Sequence, residues 1–250
     1  MIGPLVTPES VPEWLAPLVK VSGELDSRTF ARFNPPEDAF TRPASVLILF
    51  GEREAGPDVL LLRRADTLGS HAGQVAFPGG GAEDGDDGPI GTALREAEEE
   101  TGVDPAGVRP IAVLPELFVP VSGFAVTPVL AHWDTPSPVR AVDPGETASV
   151  ARVALADLAD PSNRFQVRRV GMPWKGPAFE VDGLFVWGFT AGLLSVLLGL
   201  GGWEREWDTG DVRDLDEAMT AYRTRVAGSV SPGLRPGPGA SPPGAPRDKE

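Results

Sequence analysis

The residues best suited to chemistry are three glutamates on one face of a predicted helix. Glu96, Glu99 and Glu100 stand at positions i, i+3 and i+4, so their carboxylates converge. Like charges at these spacings repel by about 0.2–0.5 kcal/mol per pair, and the nearby negative end of the helix dipole also disfavours anions. Mg²⁺ or Mn²⁺ would turn this repulsive arrangement into a binding site, because carboxylate oxygens are their preferred ligands. A solvated acidic helix face is the alternative.

The helix that carries these glutamates follows a glycine-rich turn. Residues 79–81 are three consecutive glycines, which is typical of a backbone that must approach a ligand or metal closely. Pro89 suits the first turn of a helix, and Gly102 suits the residue after its end. The sequence therefore predicts a helix over 89–101.

Alternating apolar and polar residues and continuous apolar runs predict the strands and helices that position this helix. Strands are predicted at 44–50, 58–63, 108–114, 125–133 and 147–154, and helices at 9–16, 89–101, 155–160, 187–198 and 211–226. The first two strands are expected to form a hairpin, and Pro17 is expected to end or kink the first helix. Because hairpins and separated helices are mixed, the sequence predicts an α+β fold or a mixed-sheet sandwich without strict βαβ alternation.

Composition excludes several classes of protein. The chain has 250 residues, of which 41% are hydrophobic and 23% charged, so an ordinary folded core is expected. It has no Cys, which excludes disulfides, a thiol nucleophile and Cys-ligated metal sites. A net charge of −14 argues against sequence-independent nucleic-acid binding, which needs clustered Lys and Arg.

One domain is predicted over residues 1–227, with an N-terminal extension over about residues 1–40. Residues 228–250 are rich in Pro and Gly and poor in large apolar side chains, so a disordered tail is expected there. Residues 184–202 carry no charge, but the flanking charges are the acidic Asp182 and Glu204. A buried helix is therefore favoured over a membrane span. The N-terminus lacks the pattern of a signal peptide, so the expected compartment is the cytoplasm.

Residues 81–103 resemble the Nudix box, G-x5-E-x7-R-E-U-x-E-E-x-G-U, where U is an aliphatic residue. The matching positions are Gly81, Arg95, Glu96, Ala97, Glu99, Glu100, Gly102 and Val103. Asp87 stands where the pattern has Glu, and Asp86 is a second candidate for that loop acid. The resemblance implies a Nudix α/β/α sandwich with a mixed β-sheet. The implied ligands of Mg²⁺ or Mn²⁺ are Glu96, Glu99, Glu100 and the backbone carbonyl of Gly80 or Gly81.

Residues 60–80 resemble the signature of the coenzyme A diphosphatase branch of Nudix hydrolases, L-L-T-x-R-[SA]-x3-R-x3-G-x3-F-P-G-G. Leu62 replaces the Thr of that signature, and Gly69 replaces its second Arg. Residues 122–129 and 186–194 also resemble this branch. The resemblance implies hydrolysis of coenzyme A and its thioesters at the pyrophosphate, to 3′,5′-ADP and 4′-phosphopantetheine or its acyl form.

The same resemblance implies roles for single residues. Glu96 or Glu146 would act as the general base, and Arg95 would orient the glutamates. The expected substrate contacts are Arg64, His71 and Phe77, with the Arg64 guanidinium binding phosphate. Two of these residues have a structural alternative, because Glu146 would also suit a surface loop and His71 a local hydrogen bond.

Two other functions are compatible with these residues. One is a Nudix pyrophosphatase for another nucleoside diphosphate derivative, such as ADP-ribose or a dinucleoside polyphosphate. The other is a non-catalytic ligand sensor, against which the complete set of three glutamates argues. The expected partner is a small-molecule nucleotide such as coenzyme A or acyl-coenzyme A, with no nucleic acid and no membrane. The sequence leaves a homodimer open.

Overall fold

The computed structural model describes residues 2–25, 41–119, 122–171 and 174–229. The helices are α1 (Ala16–Ser22), α2 (Gly88–Thr101), α3 (Leu155–Ala159), α4 (Gly188–Leu200) and α5 (Leu215–Ser229). The main sheet contains β1 (Gly3–Pro4), β2 (Arg42–Arg53), β3 (Gly56–Arg64), β4 (Val75–Ala76), β5 (Gly79–Gly81), β6 (Val108–Val113), β7 (Leu117–Val119), β8 (Phe124–Trp133) and β9 (Thr147–Ala154). A second sheet contains β10 (Arg164–Arg168), β11 (Lys175–Val181), β12 (Leu184–Val186) and β13 (Val212–Asp214).

The main sheet is mixed, and the predicted α+β class with a mixed β-sheet is confirmed. β2 runs parallel to β8, whereas the other strand pairs of this sheet are antiparallel. β2 and β3 form the predicted hairpin, but β2 pairs with β3 only from Phe50 to Arg53. Farther from the turn the two strands separate, and there β5 pairs with β2 and β4 pairs with β3. The glycine strand β5 therefore lies where the hairpin opens.

The close approach of β5 to β2 requires glycine. A Cβ atom on Gly79 would lie 2.3 Å from the backbone oxygen of Ser45, a distance at which any side chain would clash. The φ angle of Gly79 is +157°, and positive φ is readily adopted only by glycine. The run of glycines thus lets this strand pair closely with β2 while it also contacts α2.

Both faces of the main sheet are covered. Leu47 and Leu49 of β2 pack in a cluster with α2, whereas Ile48 and Phe50 belong to a second cluster that includes α1 and α4, because successive strand residues point to opposite faces. Burial on both faces explains the continuous apolar run of β2. Most of the uncharged segment 184–202 forms the buried helix α4, as predicted, but its first three residues form β12. Within the described part of the chain, no helix is long and apolar enough to cross a membrane.

The helix predicted at 9–16 is wrong. Residues Pro8–Ser10 form one 3-10 turn, and α1 begins just before Pro17 rather than ending at it. Proline is tolerated in the first turn of a helix, where its missing N–H would have no intrahelical partner. Leu15 and Leu18 are fully buried, so this N-terminal stretch contributes to the core.

The second sheet was not predicted, and it changes the predicted C-terminal elements. The helix expected at 211–226 begins only at Leu215, because residues 212–214 form β13 and pair with β10. α5 continues to Ser229, two residues beyond the predicted domain boundary at 227. The remainder of the predicted tail, and residues 26–40 of the predicted N-terminal extension, lie outside the described residues.

A buried ion-pair network joins three strands of the main sheet. The Asp58 side chain on β3 is 1% exposed and accepts a hydrogen bond from Arg53 Nε on β2 at 2.7 Å. Its other oxygen accepts a hydrogen bond from Arg152 Nε on β9 at 3.0 Å. The guanidinium of Arg152 also lies over the Trp133 ring, 4.7 Å from its centroid. One carboxylate therefore holds two guanidinium groups between neighbouring strands.

Removing this carboxylate should destabilise the protein substantially. We expect Asp58→Ala to lower the free energy of unfolding by about 3 kcal/mol, because two guanidinium groups lose a desolvated partner. The matched control is Asp216→Ala, which removes an exposed pair with Arg169 and should cost less than about 1 kcal/mol. Urea denaturation measures both changes. Equal losses in the two variants would contradict the role assigned to Asp58.

Candidate functional site

Arg95 joins the three parts of the candidate site. Its guanidinium donates Nε to Asp86 Oδ1 at 2.9 Å and Nη2 to the backbone oxygen of Gly81 at 3.0 Å. Nη1 donates to Glu96 Oε1 and to Glu99 Oε2, each at 3.1 Å. The hydrogen bond to Asp86 is the main reason that the pKa of Arg95 is raised above its ordinary value. Arg95 is therefore a permanent cation that connects the acidic loop, the glycine strand and α2.

Asp86, rather than Asp87, is the loop acid that meets Arg95. Asp86 also accepts hydrogen bonds from Thr92 Oγ1 at 2.8 Å and from the backbone N–H of Glu83 at 2.9 Å. Hydrogen bonding to Arg95 holds the pKa of Asp86 well below its usual range. Asp87 is exposed and precedes α2 without a side-chain cap. Of the two candidates left open by the sequence, the structure thus favours Asp86.

Glu100 is a buried carboxylate with little compensating charge. Its side chain is 9% exposed, and its Oε2 accepts a hydrogen bond from the backbone N–H of Gly79 at 2.9 Å. Arg64 Nη1 lies 3.7 Å from Oε1. Burial is the main reason that the pKa of Glu100 is raised to about 7; the negative charges of Glu96 and Glu146 contribute to the rise, and the Gly79 N–H and Arg64 oppose it. Arg64 and the Gly79 N–H therefore offset only part of the cost of burying an ionised Glu100.

Glu96 lies against the middle residue of the glycine strand. A Cβ atom on Gly80 would stand 2.5 Å from Glu96 Oε1, so a side chain at this position would displace the carboxylate. Burial raises the pKa of Glu96, although its hydrogen bond to Arg95 opposes that effect. Glu96 and Glu100 thus both meet β5, and both are easier to protonate than an exposed glutamate.

The residues present have the chemistry of a Mg²⁺ or Mn²⁺ site. Glu96 and Glu100 offer hard oxygen ligands beside the same glycine strand, and burial disfavours the ionised form of both carboxylates. The Glu99 side chain is 60% exposed and is paired with Arg95. Among the described residues, no three His, Asp or Glu side chains are already arranged around a metal position. The predicted carbonyl of Gly80 lies in the adjacent strand. Glu99 would have to leave Arg95 to become a ligand.

Two other predicted residues lie beside this acidic pair. Arg64 is the last residue of β3, and its Nε is buried without a hydrogen-bond partner among the described residues. Glu146 is exposed in the loop before β9, and its backbone oxygen accepts a hydrogen bond from the N–H of Ala65 at 2.8 Å. The end of β3 and the start of β9 therefore bring both residues toward Glu100.

The remaining two predicted substrate contacts are placed differently. His71 lies in the loop between β3 and β4, where Nδ1 is 2.9 Å from Gln74 Oε1, so the local hydrogen bond that the sequence left open is present. Phe77 is 3% exposed and belongs to the large apolar cluster. Its burial gives Phe77 a packing role, and contact with substrate is not supported.

Sequence reasoning gave no role to two residues at the rim of the site. Arg42 lies over the ring of Phe124, 4.3 Å from its centroid. Phe124 in turn lies beside Gly81, with its ring 3.9 Å from where a Cβ atom on that glycine would stand. The only signal in the sequence was that residues 122–129 resemble the coenzyme A diphosphatase branch, and that resemblance does not show which side chain reaches the site.

The stability of the metal-free protein should depend on pH through Glu100. Folding raises the pKa of Glu100 from 4.5 to about 7, so the folded state binds the proton more tightly. Its contribution to stability is complete below about pH 4.5 and is lost as the pH rises to about 7. We expect Glu100→Gln to remove this decline and to be about 1–3 kcal/mol more stable than wild type at pH 8.

Urea denaturation in EDTA at pH 5 and pH 8 measures this difference. Glu98→Gln, which changes an exposed glutamate of the same helix, should keep the wild-type pH dependence. The same pH dependence in Glu100→Gln and wild type would contradict the burial cost assigned to Glu100.

The comparisons with known proteins find a family and sequence relatives for this chain. A family model described as NUDIX domain matches residues 40–174. A Cronobacter sakazakii protein named "Uncharacterized Nudix hydrolase NudL" is 40% identical over 164 aligned residues, which cover 62% of this chain and 81% of the relative. The Escherichia coli K12 protein of the same name is 39% identical, with the same coverage of both chains.

Solved structures are more distant. The Nudix hydrolase RenU of M. smegmatis is 26% identical, with a TM-score of 0.40 over 48% of this chain and 74% of that chain. A C. elegans Ap4A hydrolase is 20% identical, with a TM-score of 0.39 over 47% of this chain and 82% of that chain. The assignment rests on the family model and the sequence relatives: this chain belongs to the Nudix family.

Proposed function

We propose that this protein hydrolyses coenzyme A and its thioesters in a reaction that depends on Mg²⁺ or Mn²⁺. Water would cleave the pyrophosphate to give 3′,5′-ADP and 4′-phosphopantetheine or its acyl form. The observation that carries the proposal is the pair Glu96 and Glu100, whose carboxylates both lie against the glycine strand and are both harder to ionise because of burial. Hydrolysis of nucleoside diphosphate derivatives is the reaction class of the family, and coenzyme A is the proposed member of that class.

The metal-binding residues of the proposal are Glu96, Glu100, Glu99 after its release from Arg95, and the carbonyl of Gly80. A bound divalent cation would neutralise the diphosphate and acidify a water molecule. Because the chain carries a net charge of −14, this local positive charge would also offset repulsion of the polyanionic substrate.

Arg64 is the proposed phosphate ligand. Its side chain is 29% exposed, and its Nη1 lies 3.7 Å from Glu100 Oε1. A guanidinium can bind two phosphate oxygens through adjacent N–H groups. Arg64 would therefore hold the diphosphate beside the carboxylate pair.

Glu146 is better suited than Glu96 to remove the proton from the attacking water. The Glu96 carboxylate is held by Arg95 at 3.1 Å, whereas the exposed Glu146 carboxylate has no hydrogen bond or ion pair with any described residue. A free carboxylate can accept a proton as the water attacks phosphorus in line with the leaving phosphate. Arg95 would act as a positioning residue that orients Glu96 and Glu99.

The substrate class is supported by the resemblance of residues 60–80, 122–129 and 186–194 to the coenzyme A diphosphatase branch. ADP-ribose or a dinucleoside polyphosphate is the alternative substrate within the family, and a ligand sensor is the non-catalytic alternative. The proposal includes a cytoplasmic location and a small nucleotide as the partner.

A substrate panel tests this choice. We expect dephospho-coenzyme A to have a kcat/KM about tenfold lower than that of coenzyme A, because it lacks a 3′-phosphate that a charge-assisted contact would bind. A larger difference is not expected, since Gly69 stands where the related signature has Arg. ADP-ribose should be poorer still. Faster turnover of ADP-ribose than of coenzyme A at equal low concentration would contradict the proposed substrate, and no product from any of them would favour the sensor.

The assignment of the base is tested by two substitutions. We expect Glu146→Gln to lower kcat by about 10²–10⁴-fold while leaving the concentration of Mg²⁺ needed for half-maximal activity unchanged. Glu96→Gln should change that concentration as well as kcat, because it removes a proposed ligand. Product formation from coenzyme A across a Mg²⁺ titration measures both effects. Wild-type kcat in Glu146→Gln would show that another group accepts the proton.

A further inference from the structure

The segment 140–147, which contains the proposed base, is hydrogen-bonded to the end of α2. The last four carbonyl groups of a helix have no partner within the helix. Two of them are satisfied by this segment, because the N–H of Val142 donates to the backbone oxygen of Glu100 at 3.3 Å and the N–H of Arg140 donates to that of Thr101 at 2.9 Å. The segment is therefore attached to the helical turn that presents the proposed metal ligand Glu100.

The other end of the segment is hydrogen-bonded to β3. The backbone oxygen of Glu146 accepts a hydrogen bond from the N–H of Ala65 at 2.8 Å, and Ala65 directly follows Arg64, the last residue of β3. Thr147, the first residue of β9, pairs with Arg64. The segment thus connects the helix of the proposed metal ligands to the strand of the proposed phosphate ligand, and Glu146 lies where it reaches that strand.

Within the segment, Asp143 forms a turn that fixes the backbone of Glu146. Its side-chain Oδ1 accepts a hydrogen bond from the N–H of Gly145 at 2.7 Å, an arrangement in which an aspartate side chain mimics a backbone turn. Its backbone oxygen accepts hydrogen bonds from the N–H groups of Glu146 and Thr147 at 3.1 Å and 2.8 Å. Three consecutive residues therefore donate to one aspartate.

The backbone is what holds Glu146 near the acidic pair. Its side chain is exposed, and the described part of the chain offers its carboxylate no hydrogen bond or ion pair. The charge of Glu146 nevertheless helps to raise the pKa of Glu100, so the two carboxylates are close enough to interact. A general base must lie within hydrogen-bond reach of the proton that it accepts, and a small misplacement lowers the rate strongly. The turn at Asp143 is therefore in a position to control the rate.

We infer that Asp143 is a positioning residue for Glu146: its turn holds the backbone of the proposed base between the end of α2 and the end of β3. The inference rests on the proposed function, because it gives Asp143 a part in the reaction that is proposed for Glu146. What the turn requires is the acceptor oxygen of the Asp143 side chain and not its negative charge, since that oxygen binds a backbone N–H.

The first test compares three variants of the full-length protein. We expect Asp143→Ala to lower kcat for coenzyme A about tenfold or more, with KM changed by less than about twofold. Asp143→Asn keeps an oxygen acceptor and should retain kcat to within about twofold. Asp208→Ala is the matched control, because Asp208 is exposed and its Oδ1 accepts a hydrogen bond from the N–H of Gly210 at 2.8 Å in the same Asp-x-Gly pattern. It should have the wild-type kcat.

A double-mutant cycle shows whether Asp143 acts through Glu146. In a Glu146→Gln background, Asp143→Ala should lower kcat by less than about twofold, because no base is left to position. A residue that only supports the fold would lower kcat by the same factor in both backgrounds.

Amide hydrogen exchange in the substrate-free protein measures the turn without the reaction. We expect exchange at residues 145–147 to be about tenfold faster in Asp143→Ala than in wild type, because their N–H groups lose an ordered acceptor. Asp143→Asn should exchange as wild type does. Unchanged exchange in Asp143→Ala would contradict the turn.

The outcomes separate this inference from the proposed function. If wild type hydrolyses none of coenzyme A, ADP-ribose and a dinucleoside polyphosphate, the proposed function is overturned, and the catalytic role of Asp143 with it. If ADP-ribose alone is hydrolysed, the same variants are compared on ADP-ribose. Hydrolysis by wild type with full kcat in Asp143→Ala, or an equal loss in both backgrounds of the cycle, would overturn the inference about Asp143 alone.

Discussion

The contact on which the candidate site depends is the Arg95 guanidinium, which binds a loop, a strand and a helix at once. Asp86, the Gly81 carbonyl and Glu96 all accept hydrogen bonds from it. Without this cation the acidic loop and the glutamate face of α2 would repel each other. The same contacts leave Glu100 outside the reach of Arg95. The site therefore combines carboxylates that are hydrogen-bonded to Arg95 with a buried carboxylate whose neighbouring cation, Arg64, lies 3.7 Å away.

The glycine strand explains how a buried carboxylate can stand so close to the sheet. β5 fits where the hairpin of β2 and β3 opens, with Gly79 against the backbone of β2 and Gly80 against Glu96. The backbone N–H of Gly79 is one of the few groups that stabilise ionised Glu100. The fold and the chemistry are linked here, because the absence of side chains on β5 lets its backbone contact Glu96 and Glu100 directly.

Much of this arrangement follows from local sequence patterns, and the rest depends on contacts that are distant in the chain. The five longer strands of the main sheet (β2, β3, β6, β8 and β9) and the helix over 89–101 were predicted because apolar runs and glycine and proline positions mark them. The short strands β1, β4, β5 and β7 were not predicted. β10 was missed because it begins with Arg164, and an arginine is expected at the protein surface rather than in the core. The burial of Arg164 depends on two residues that are distant in the chain. Its guanidinium carbon lies 4.4 Å from the centroid of the Trp207 ring, and its Nη2 lies 3.1 Å from Glu204 Oε1. Likewise, only the folded loop shows that Asp86 meets Arg95, and only the packed core shows that Phe77 is buried.

The central claim is that the surplus negative charge at Glu96 and Glu100 is a binding site for a divalent cation. Binding of Mn²⁺ to the metal-free protein, measured from the electron paramagnetic resonance signal of the free ion, tests this claim most directly. The account predicts that Glu100→Gln weakens Mn²⁺ binding by at least about tenfold, a loss of about 1.4 kcal/mol, whereas Glu98→Gln on the same helix binds as wild type does. Equal Mn²⁺ affinity in wild type and Glu100→Gln, or no binding by wild type, would contradict it.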